Sequence, residues 1–399
     1  MTLAQQVLQL AEKYRDETVA NLGRLIQLPS ESMQEKNVNA ELARQMEEAG
    51  FDEVVIDPLG NAIGRIGNGP VILAIDAHMD TVGVGNLDNW EFDPHVGDEV
   101  DGQVRGRGSV DQEGGAAAFV TAGRILKELD LGDELTVYCT GTVMEEDCDG
   151  LCWKYIIEET GLKPDLVIST EPTNLGVYRG QRGRMEIAVS FRGVSSHGSA
   201  PERGVNAIYH ASRACLEIEK LNERLADDPF LGKGSITVTE FKSGSPSLCA
   251  VADFARIHID RRLTVGETKE SAVAEIEALV TDLDATVEVL HYDEVAYTGL
   301  RYGMEKYYPT WVVPAEHEAV QRGAAVHTDL FGSQPVVDKW TFSTNGVTIK
   351  GIHDIPVIGY GPGNEVLAHA PNEMVPVDDL VKASAFYALY ALRMAGRTD

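Results

Sequence analysis

The sequence predicts an α/β fold in which helices sandwich a mostly parallel sheet and a smaller α+β domain is inserted. Strand and helix patterns alternate through residues 1–179, and the strand patterns are almost wholly apolar, as in sheets covered on both faces. Near residue 180 the strands change to alternating apolar and polar side chains, which is typical of a sheet with one wet face. The first pattern returns after about residue 298. We therefore predict one domain made of residues 1–179 and 296–399, interrupted by a domain of residues 180–295.

The first segment contains patterns for both helices and strands. Apolar spacing predicts helices at residues 3–27, at residues 35–49, in GGAAAFVTAGRILKEL and in GLCWKYIIEETG. Short apolar runs bounded by turn residues predict strands at DEVVID, AIGRIG, VILAID, ELTVYCTGTV and DLVIST.

The inserted segment reads as βαββαβ. Its predicted strands are RMEIAVSFRG, SITVTEFKSG, DFARIHIDRRL and TVEVLHY, and its helices are GVNAIYHASRACLEIEKLNERL and TKESAVAEIEALVTDL. About 115 residues are enough for a small independent domain. In the third segment we predict a helix at residues 315–329, a strand at IPVIGYG and a last helix at residues 377–395.

Composition excludes several classes of partner. The 399 residues include 63 acidic and 34 basic side chains, and the resulting net charge of −29 would repel nucleic acid and anionic membranes. No apolar run approaches the length of a membrane span, and the amphipathic N-terminus does not resemble a signal peptide. Five cysteines are an odd and sparse set, so we expect reduced thiols and a cytoplasmic protein.

Ionisable residues cluster where predicted strands end. Asp76, His78 and Asp80 in VILAIDAHMDTV alternate, so they point to one face of the strand, at the end where α/β sheets bind ligands. Alone, a His-x-Asp pair is commonly a surface ion pair. Similar positions occur elsewhere, at Asp111 in GRGSVDQEGG, Glu145 and Glu146 in GTVMEEDCDG, Glu171 in VISTEPTN and His369 in GPGNEVLAHAPNE.

Each of these residues has an ordinary structural explanation when taken singly. Asp111, for example, is suited to cap the helix that follows it. Together they would crowd carboxylates at one sheet edge, which raises their pKa values unless cations compensate. Two imidazoles and several carboxylates are a suitable ligand set for two zinc-like ions.

Five motifs, HMDTV, GRGSVDQEGG, MEED, STEPT and AHAPNE, occur in the order and rough spacing of the M20 metallopeptidases. The chain resembles this family over nearly its whole length, and within it the subgroup named selenium-metabolism hydrolases. The family includes acetylornithine deacetylase, succinyl-diaminopimelate desuccinylase, aminoacylases and glutamate carboxypeptidase. The resemblance implies a dinuclear zinc-dependent hydrolase, with cobalt or manganese as alternative metals. It would use a metal-activated water to cleave an amide bond of a small N-acyl amino acid or dipeptide-like substrate.

The resemblance also implies a role for each residue of the cluster. Asp111 would bridge the two metals, with His78 and Glu171 completing one site. Glu146 and His369 would complete the other. Glu145 would be the general base. Asp80 would support His78 without binding metal itself, since a carboxylate near a ligating imidazole fixes the tautomer of that imidazole.

Further roles concern the substrate. His197 would stabilise the oxyanion of the tetrahedral intermediate, in this family often across a dimer interface, so we expect a homodimer formed through the inserted lid domain. Arg262, beside Arg261, would bind a substrate carboxylate through its planar fork. Other candidates for substrate contact are Gly361, Gly363, Lys339, Trp340 and Thr344. Two residues have no family role: Cys249, near a position where relatives often carry Asn, and Asp76, for which we expect only a hydrogen bond to the next strand.

Two alternatives stay open at this stage. The same scaffold could hydrolyse a ureido, carbamoyl or other C–N bond, or it could be a catalytically silent metal-binding assembly protein. The sequence has no GxGxxG, P-loop or GxSxG motif, so nucleotide-binding and serine-hydrolase functions lack their signals. Because all expected ligands and the expected base are present, the enzyme is favoured.

Overall fold

The computed structural model describes residues 1–398; Asp399, which ends the third predicted segment, lies outside the described residues. The α-helices are α1 (Leu3–Lys13), α2 (Arg15–Ile26), α3 (Lys36–Glu48), α4 (Glu113–Leu129), α5 (Leu151–Tyr155), α6 (Ala207–Arg224), α7 (Lys269–Val280), α8 (Glu318–Phe331), α9 (Gly346–Ile349) and α10 (Val377–Met394). Short 3₁₀ turns occupy Leu87–Asn89, Pro201–Arg203 and Glu365–Leu367, and a π-helical turn occupies Ile156–Thr160.

The strands are β1 (Glu53–Ile56), β2 (Ala62–Gly67), β3 (Val71–His78), β4 (Asp98–Val100), β5 (Gln103–Arg105), β6 (Leu135–Thr142), β7 (Leu166–Ser169), β8 (Val177–Tyr178), β9 (Gly180–Gln181), β10 (Gly183–Arg192), β11 (Asp227–Asp228), β12 (Gly232–Lys233), β13 (Ser235–Gly244), β14 (Phe254–Leu263), β15 (Ala285–Val289), β16 (His291–Tyr292), β17 (Met304–Glu305), β18 (Tyr307–Tyr308), β19 (Trp311–Val312), β20 (Val337–Asp338), β21 (Val357–Gly359) and β22 (Met374–Pro376).

A mixed, mostly parallel sheet forms the centre of the molecule, with the strand order β1-β2-β6-β3-β7-β21-β8-β20. Strand β3 pairs in parallel with β6 and with β7, and β7 pairs in parallel with β21. The first edge is antiparallel, through β1, β2 and β6. The interior of β3 is fully buried, as an apolar strand between two helical layers should be. The predicted α/β class is therefore confirmed.

A second sheet, built from the inserted segment, is antiparallel, with the order β13-β14-β10-β15 and β18 added on β10. The chain order β10, α6, β13, β14, α7, β15 is the predicted βαββαβ. Its apolar face and the two helices enclose a separate core that includes Ile187, Ile257 and Ile276. The predicted boundaries at residues 179/180 and 295/296 stay a prediction.

Three predicted elements differ in detail. The helix predicted at residues 3–27 is broken at Tyr14, whose backbone (φ −96°, ψ 8°) leaves the helical region while its ring lies under the guanidinium of Arg124. The helix through residues 150–161 loosens into the π turn, where Thr160 Oγ1 donates to the carbonyl of Ile156 at 2.6 Å. The strand TVEVLHY divides, because the carbonyl of Leu290 accepts from the amide of Lys306 and β16 turns to pair with β17.

Membrane-spanning helices and disulfide bonds are both missing from the described part of the chain. Within residues 1–398, no helix combines the length and the apolar character needed to cross a bilayer. The cysteines at 139, 148, 152, 215 and 249 are all unpaired in the described structure.

Candidate active site

The ionisable cluster lies at the carboxyl edge of the central sheet. His78 is the last residue of β3, and Glu171 follows the end of β7 by two residues. Glu145 and Glu146 lie in the turn that leaves β6, and Asp111 lies just before α4. Because β3, β6 and β7 run in parallel, their ends meet at one edge, as expected for a ligand site in an α/β sheet.

Asp111 lies between the two imidazoles. Nε2 of His78 is 3.0 Å from Oδ1 of Asp111, and Nε2 of His369 is 3.1 Å from Oδ2 of the same carboxylate. Nε2 of His369 is also 3.1 Å from each carboxylate oxygen of Glu146. One carboxylate with an imidazole on each oxygen is the arrangement expected of a residue that bridges two cations.

Two further glutamates face His78. Its Nε2 lies 3.8 Å from Oε1 of Glu171 and 3.9 Å from Oε2 of Glu145. The ligand atoms of His78, Glu145 and Glu171 lie within 4.8 Å of one another, and so do those of His78, Asp111 and Glu146. The structure therefore brings together all five expected metal ligands and the expected base.

The electrostatics show that this cluster is short of positive charge. Burial raises the pKa values of Glu145, Glu146 and Glu171, and their negative neighbours raise them further. Burial opposes the charged form of His78 as well, but the hydrogen bond that it donates to Asp111 and the surrounding carboxylates outweigh burial, so the pKa of His78 is raised well above the ordinary value. The pKa of Asp111 is lowered, because the two imidazoles outweigh its burial.

The donor set fits a pair of divalent cations. Oε1 of Glu145 and Oε2 of Glu171 are buried and have no hydrogen-bond partner within residues 1–398. Buried carboxylate oxygens without a partner carry a large desolvation penalty, which a bound cation would offset. Imidazole nitrogen and carboxylate oxygen together suit zinc, cobalt and manganese.

Asp80 supports the site, although not by the contact that we expected. Nδ1 of His78 is 2.7 Å from the backbone carbonyl oxygen of Asp80, while the nearest carboxylate oxygen of Asp80 is 3.7 Å away. The carboxylate instead accepts hydrogen bonds from the amides of Glu145 and Glu146, at 3.1 and 3.0 Å. Asp80 thus orients His78 through its backbone and the glutamates through its side chain.

Asp76 has the modest role that we predicted for it. It is fully buried, and its Oδ1 accepts hydrogen bonds from Thr140 and Thr142 on the neighbouring β6, at 2.8 and 3.3 Å. Asn345 donates to the other oxygen at 2.9 Å. The expectation of a hydrogen bond to the next strand is confirmed.

A cavity of about 330 Å³ opens over the cluster, a volume suited to a small molecule. Its wall on the side of the second sheet includes Arg184 and Arg262. These residues are paired across β10 and β14, so their side chains are close neighbours on one face. Arg261 points the other way; it is fully buried and ion-paired with Glu267 and Glu275. Of the two adjacent arginines, Arg262 therefore lines the cavity, and Arg261 lies on the opposite face of β14.

The charge of the two arginines is partly balanced. Asp260 accepts from Nε and Nη2 of Arg262, at 2.7 and 3.1 Å, and in the described chain Nη1 of Arg262 has no partner. Arg184 donates to Glu186 at 2.6 Å and to Asp149, another cavity residue, at 3.4 Å. Asp260 and Glu186 thus hold the two guanidinium groups in place, and one edge of Arg262 stays open.

Sequence reasoning missed several residues of the cavity wall, namely Asp149, Arg184, Phe342, Ser343 and Glu365. Arg184 could have been found only from the register of β10 on β14, because no motif marks it. Glu365 lies in the same GPGNEVLAHAPNE segment as His369. Its Oε2 is buried without a partner among residues 1–398, and burial, together with nearby Asp338, raises its pKa.

Three proposed specificity residues lie outside this wall. Thr344 is fully buried and donates to Gln181 Oε1 at 2.6 Å. Trp340 is a core residue, edge-on to Tyr178. Lys339 lies 3.4 Å from Asp338. Their immediate neighbours Phe342 and Ser343 line the cavity instead.

The two glycines that we proposed near the substrate contact protein backbone. A Cβ at Gly361 would collide with the carbonyl oxygens of Thr170 and Glu171. Gly363 adopts a φ of +80°, which favours glycine, and its amide donates to Asp379 at 3.3 Å. Gly361 therefore allows its loop to approach the segment that carries Glu171.

His197 and Cys249 are on neighbouring loops of the second sheet. His197 is exposed, and its Nδ1 lies 2.7 Å from Oγ of Ser199. The carbonyl oxygen of Cys249 accepts from the amide of Gly198 at 2.7 Å, and the Cys249 side chain is exposed. Neither side chain belongs to the cavity wall formed by the described residues of this chain.

The fold and the site together define a metal-dependent hydrolase. Residues 74–393 match the peptidase family M20/M25/M40, and the chain belongs to this family, as its motifs indicated. It is 53% identical over 388 residues to the uncharacterized protein YgeY of Escherichia coli strain K12, a match that covers 97% of this chain and 96% of that protein. It is 25% identical over 344 residues to acetylornithine deacetylase of Proteus mirabilis, with 84% of each chain covered.

Solved structures share the fold at low sequence identity. Aminopeptidase PepT of Bacillus cereus matches with a TM-score of 0.73 and 21% identity, over 96% of this chain and 99% of that one. The YXEP protein of Bacillus subtilis, described as a dinuclear metal binding peptidase of family M20, matches with a TM-score of 0.70 and 14% identity, over 96% and 99% of the two chains. The predicted M20 architecture is thereby confirmed.

Proposed function

We propose that the protein is a dinuclear metal hydrolase, with zinc the first candidate, that cleaves the amide bond of a small N-acyl amino acid or a dipeptide-like compound. The observation that carries this proposal is the position of Asp111, with one carboxylate oxygen near the imidazole of His78 and the other near that of His369. His78 and Glu171 would hold one ion with Asp111, and Glu146 and His369 would hold the other.

Bound divalent ions would supply Lewis acidity and lower the pKa of water at the site to near neutrality. Glu145 is the chain's own proton carrier. It is buried at the same cavity, its Oε1 has no partner within residues 1–398, and burial raises its pKa, which suits a group that must hold a proton for part of the cycle. It would take a proton from the attacking water and return it to the leaving amine nitrogen.

The substrate would carry a carboxylate. Arg262 presents the free Nη1 edge of its guanidinium to the cavity, while Asp260 fixes the opposite edge. Arg184, beside it, adds positive charge. A fixed guanidinium edge favours a planar anion such as a carboxylate, and burying the pair in a small cavity strengthens the contact.

We also propose that the substrate carries a free ammonium group. Glu365 contributes a carboxyl oxygen that has no partner within residues 1–398 to the same cavity, and no cationic side chain of the described structure pairs with it. Two relatives are named acetylornithine deacetylase and probable succinyl-diaminopimelate desuccinylase. Both names refer to acylated diamino acids, which carry a second amino group. An N-acyl or N-carbamoyl diamino acid would offer a carboxylate to Arg262, an ammonium group to Glu365 and a scissile C–N bond on which Glu145 would act.

We propose that the protein acts as a cytoplasmic homodimer. Strand β13 is an open edge of the second sheet and exposes 41% of Phe241. Helix α6, which packs on this sheet, exposes 66% of Tyr209 and 58% of Leu216. An unpaired edge strand and exposed apolar side chains on it and on the neighbouring helix favour association with a second copy. A second copy would then supply His197 to the cavity. The unpaired cysteines agree with a reducing compartment.

The proposed function is tested by loading the metal-free protein with zinc, cobalt or manganese and screening N-acetyl, N-succinyl and N-carbamoyl amino acids, with and without a second amino group. We expect turnover that a chelator abolishes and that metal restores. Glu365→Gln should raise KM only for substrates with the second amine. Absence of turnover with every metal and substrate would overturn the proposal, and an equal KM change for both substrate sets would remove the role of Glu365.

A further inference from the structure

We infer that Glu35 is a positioning residue for the turn that carries Glu145 and Glu146, and that it acts through the backbone amide of Met144. This inference rests on the proposed function in one respect only, because it assumes that these two glutamates act at the metal centre. The geometry of the turn itself is independent of that function.

The turn at residues 143–146 has a backbone that needs external support. Met144 has a φ of +61°, in the left-handed region that a residue with a side chain seldom adopts. This conformation directs the following Glu145 and Glu146 toward the imidazoles of His78 and His369. A strained conformation persists only where its surroundings hold it in place.

Every backbone amide of this turn donates to a buried side chain. The amide of Val143 donates to Oδ1 of Asn61 at 3.1 Å, and that of Met144 donates to Oε1 of Glu35 at 3.0 Å. The amides of Glu145 and Glu146 donate to the two carboxylate oxygens of Asp80. The three acceptor residues, Glu35, Asn61 and Asp80, are each fully buried.

The side chain of Glu35 accepts hydrogen bonds only from backbone amides within residues 1–398. Its Oε1 also accepts from the amide of Met33 at 3.0 Å, its Oε2 has no partner within residues 1–398, and no cationic side chain in the described structure pairs with it. Burial, together with the charge of Asp80, raises the pKa of Glu35 to about 8. A buried carboxyl without a cation is unfavourable, so the amide contacts are what the chain gains from it.

Glu35 therefore joins the start of α3 to the turn at residues 143–146. It directly precedes Lys36, the first residue of that helix, and its side chain reaches Met144, 109 residues further along the chain. Since Glu35 lines no part of the cavity described above, its effect on the reaction would be indirect. An error of about 1 Å in the position of a reacting group can lower turnover about 100-fold.

The test compares Glu35→Leu with Glu35→Gln and with a matched control on the same helix. Glu35→Gln keeps the accepting oxygen at Oε1, whereas Glu35→Leu removes it. Gln45→Leu is the control, because Gln45 is buried on α3 and, within residues 1–398, its side chain donates to Asn21 and Glu41 and not to the turn at residues 143–146. The first measurement is hydrogen–deuterium exchange of the peptide that contains residues 143–146, in the metal-free protein.

We expect Glu35→Leu to accelerate exchange in this peptide by at least about tenfold, while Glu35→Gln and Gln45→Leu leave it unchanged. With metal and substrate, Glu35→Leu should lower kcat about 10- to 100-fold with KM within about threefold, and Glu35→Gln should restore kcat. Unchanged exchange in Glu35→Leu, or equal losses in Gln45→Leu, would overturn the inference. If no variant or parent hydrolyses any substrate, the proposed function fails while the exchange result still decides the role of Glu35.

Discussion

The carboxylate of Asp80 accepts a hydrogen bond from the backbone amide of Glu145 at 3.1 Å. Asp80, two residues beyond the end of β3, thus fixes the turn that follows β6, and with it the expected general base. Because the contact is made to the backbone, the side chain of Glu145 can be changed without removing it. This makes substitutions at Glu145 a clean test of chemistry.

Glu145→Gln should keep both metals and lose turnover. The amide has the shape of the carboxyl but cannot accept and return a proton, and general-base catalysis contributes about 100- to 10,000-fold to rate. The measurements are kcat and metal content by elemental mass spectrometry. Hydrolysis at the parent rate by the purified variant would show that another group is the base.

Glu146→Ala should release one metal per chain. Glu146 and Asp111 are the carboxylates nearest Nε2 of His369. Loss of the Glu146 carboxylate would leave the metal site at His369 with two protein ligands, Asp111 and His369. Asp147→Ala is the matched control, because Asp147 belongs to the same acidic run but accepts from Tyr292 at 3.2 Å. Unchanged metal content in Glu146→Ala contradicts the assignment.

Metal affinity should rise with pH until about 10. In the metal-free protein the hydrogen bonds with Asp111 and then Glu146 raise the pKa of His369 to about 10, so metal must displace its proton below that pH. Calorimetry in two buffers of different ionisation enthalpy should therefore show proton release at pH 7–8. Without metal, the contribution of the imidazolium to stability is fully present below pH about 6.5 and is lost as the pH rises through about 10. Equal binding enthalpies in the two buffers would mean that no proton is released on metal binding and would contradict the predicted pH dependence of metal affinity.

Arg262→Ala should raise KM for carboxylate substrates by about 10- to 100-fold, since a charge-assisted hydrogen bond to a carboxylate contributes about 1.5–3 kcal/mol. The matched control is the same substrate with its carboxylate converted to a primary amide. Its KM should be high for the parent enzyme and should not change further in Arg262→Ala. An equal rise in KM for both compounds would point to a general disturbance of β14.

His197→Ala and Glu145→Gln should complement each other if His197 acts across a dimer. Each variant alone should be inactive. A mixed dimer has one site with both native residues, so mixing and re-equilibrating equal amounts should restore about a quarter of parent activity. Activity in neither the mixture nor the single variants, with dimers present by light scattering, would place His197 and Glu145 of one chain in the same site.

The sequence was most informative where local pattern and chemistry coincide. The ends of parallel strands converge, so strand prediction alone places His78, Glu146 and Glu171 near one another. Asp111 and His369 lie in a turn and a loop, and their place in the ligand set came from the resemblance of GRGSVDQEGG and AHAPNE to family motifs. Strand prediction also found Asp76 and its hydrogen bonds to β6.

The cavity wall was less predictable, because it depends on register and on loop paths. Arg184 is near Arg262 only through the pairing of β10 with β14, which the sequence does not specify. Lys339 and Thr344 were chosen from an unusual segment, but a shift of a few residues separates them from Phe342 and Ser343, which line the cavity. The contact of Glu35 with Met144 joins distant parts of the chain, and no local motif indicates it.

The close approach of Gly361 to Thr170 and Glu171 has a consequence for engineering. Any larger side chain at position 361 would displace the backbone of Thr170 and Glu171, so we expect a variant library that includes this position to lose the proposed metal ligand Glu171 from its place near His78. Diversity is better placed at Phe342 and Ser343, which line the cavity and already carry side chains.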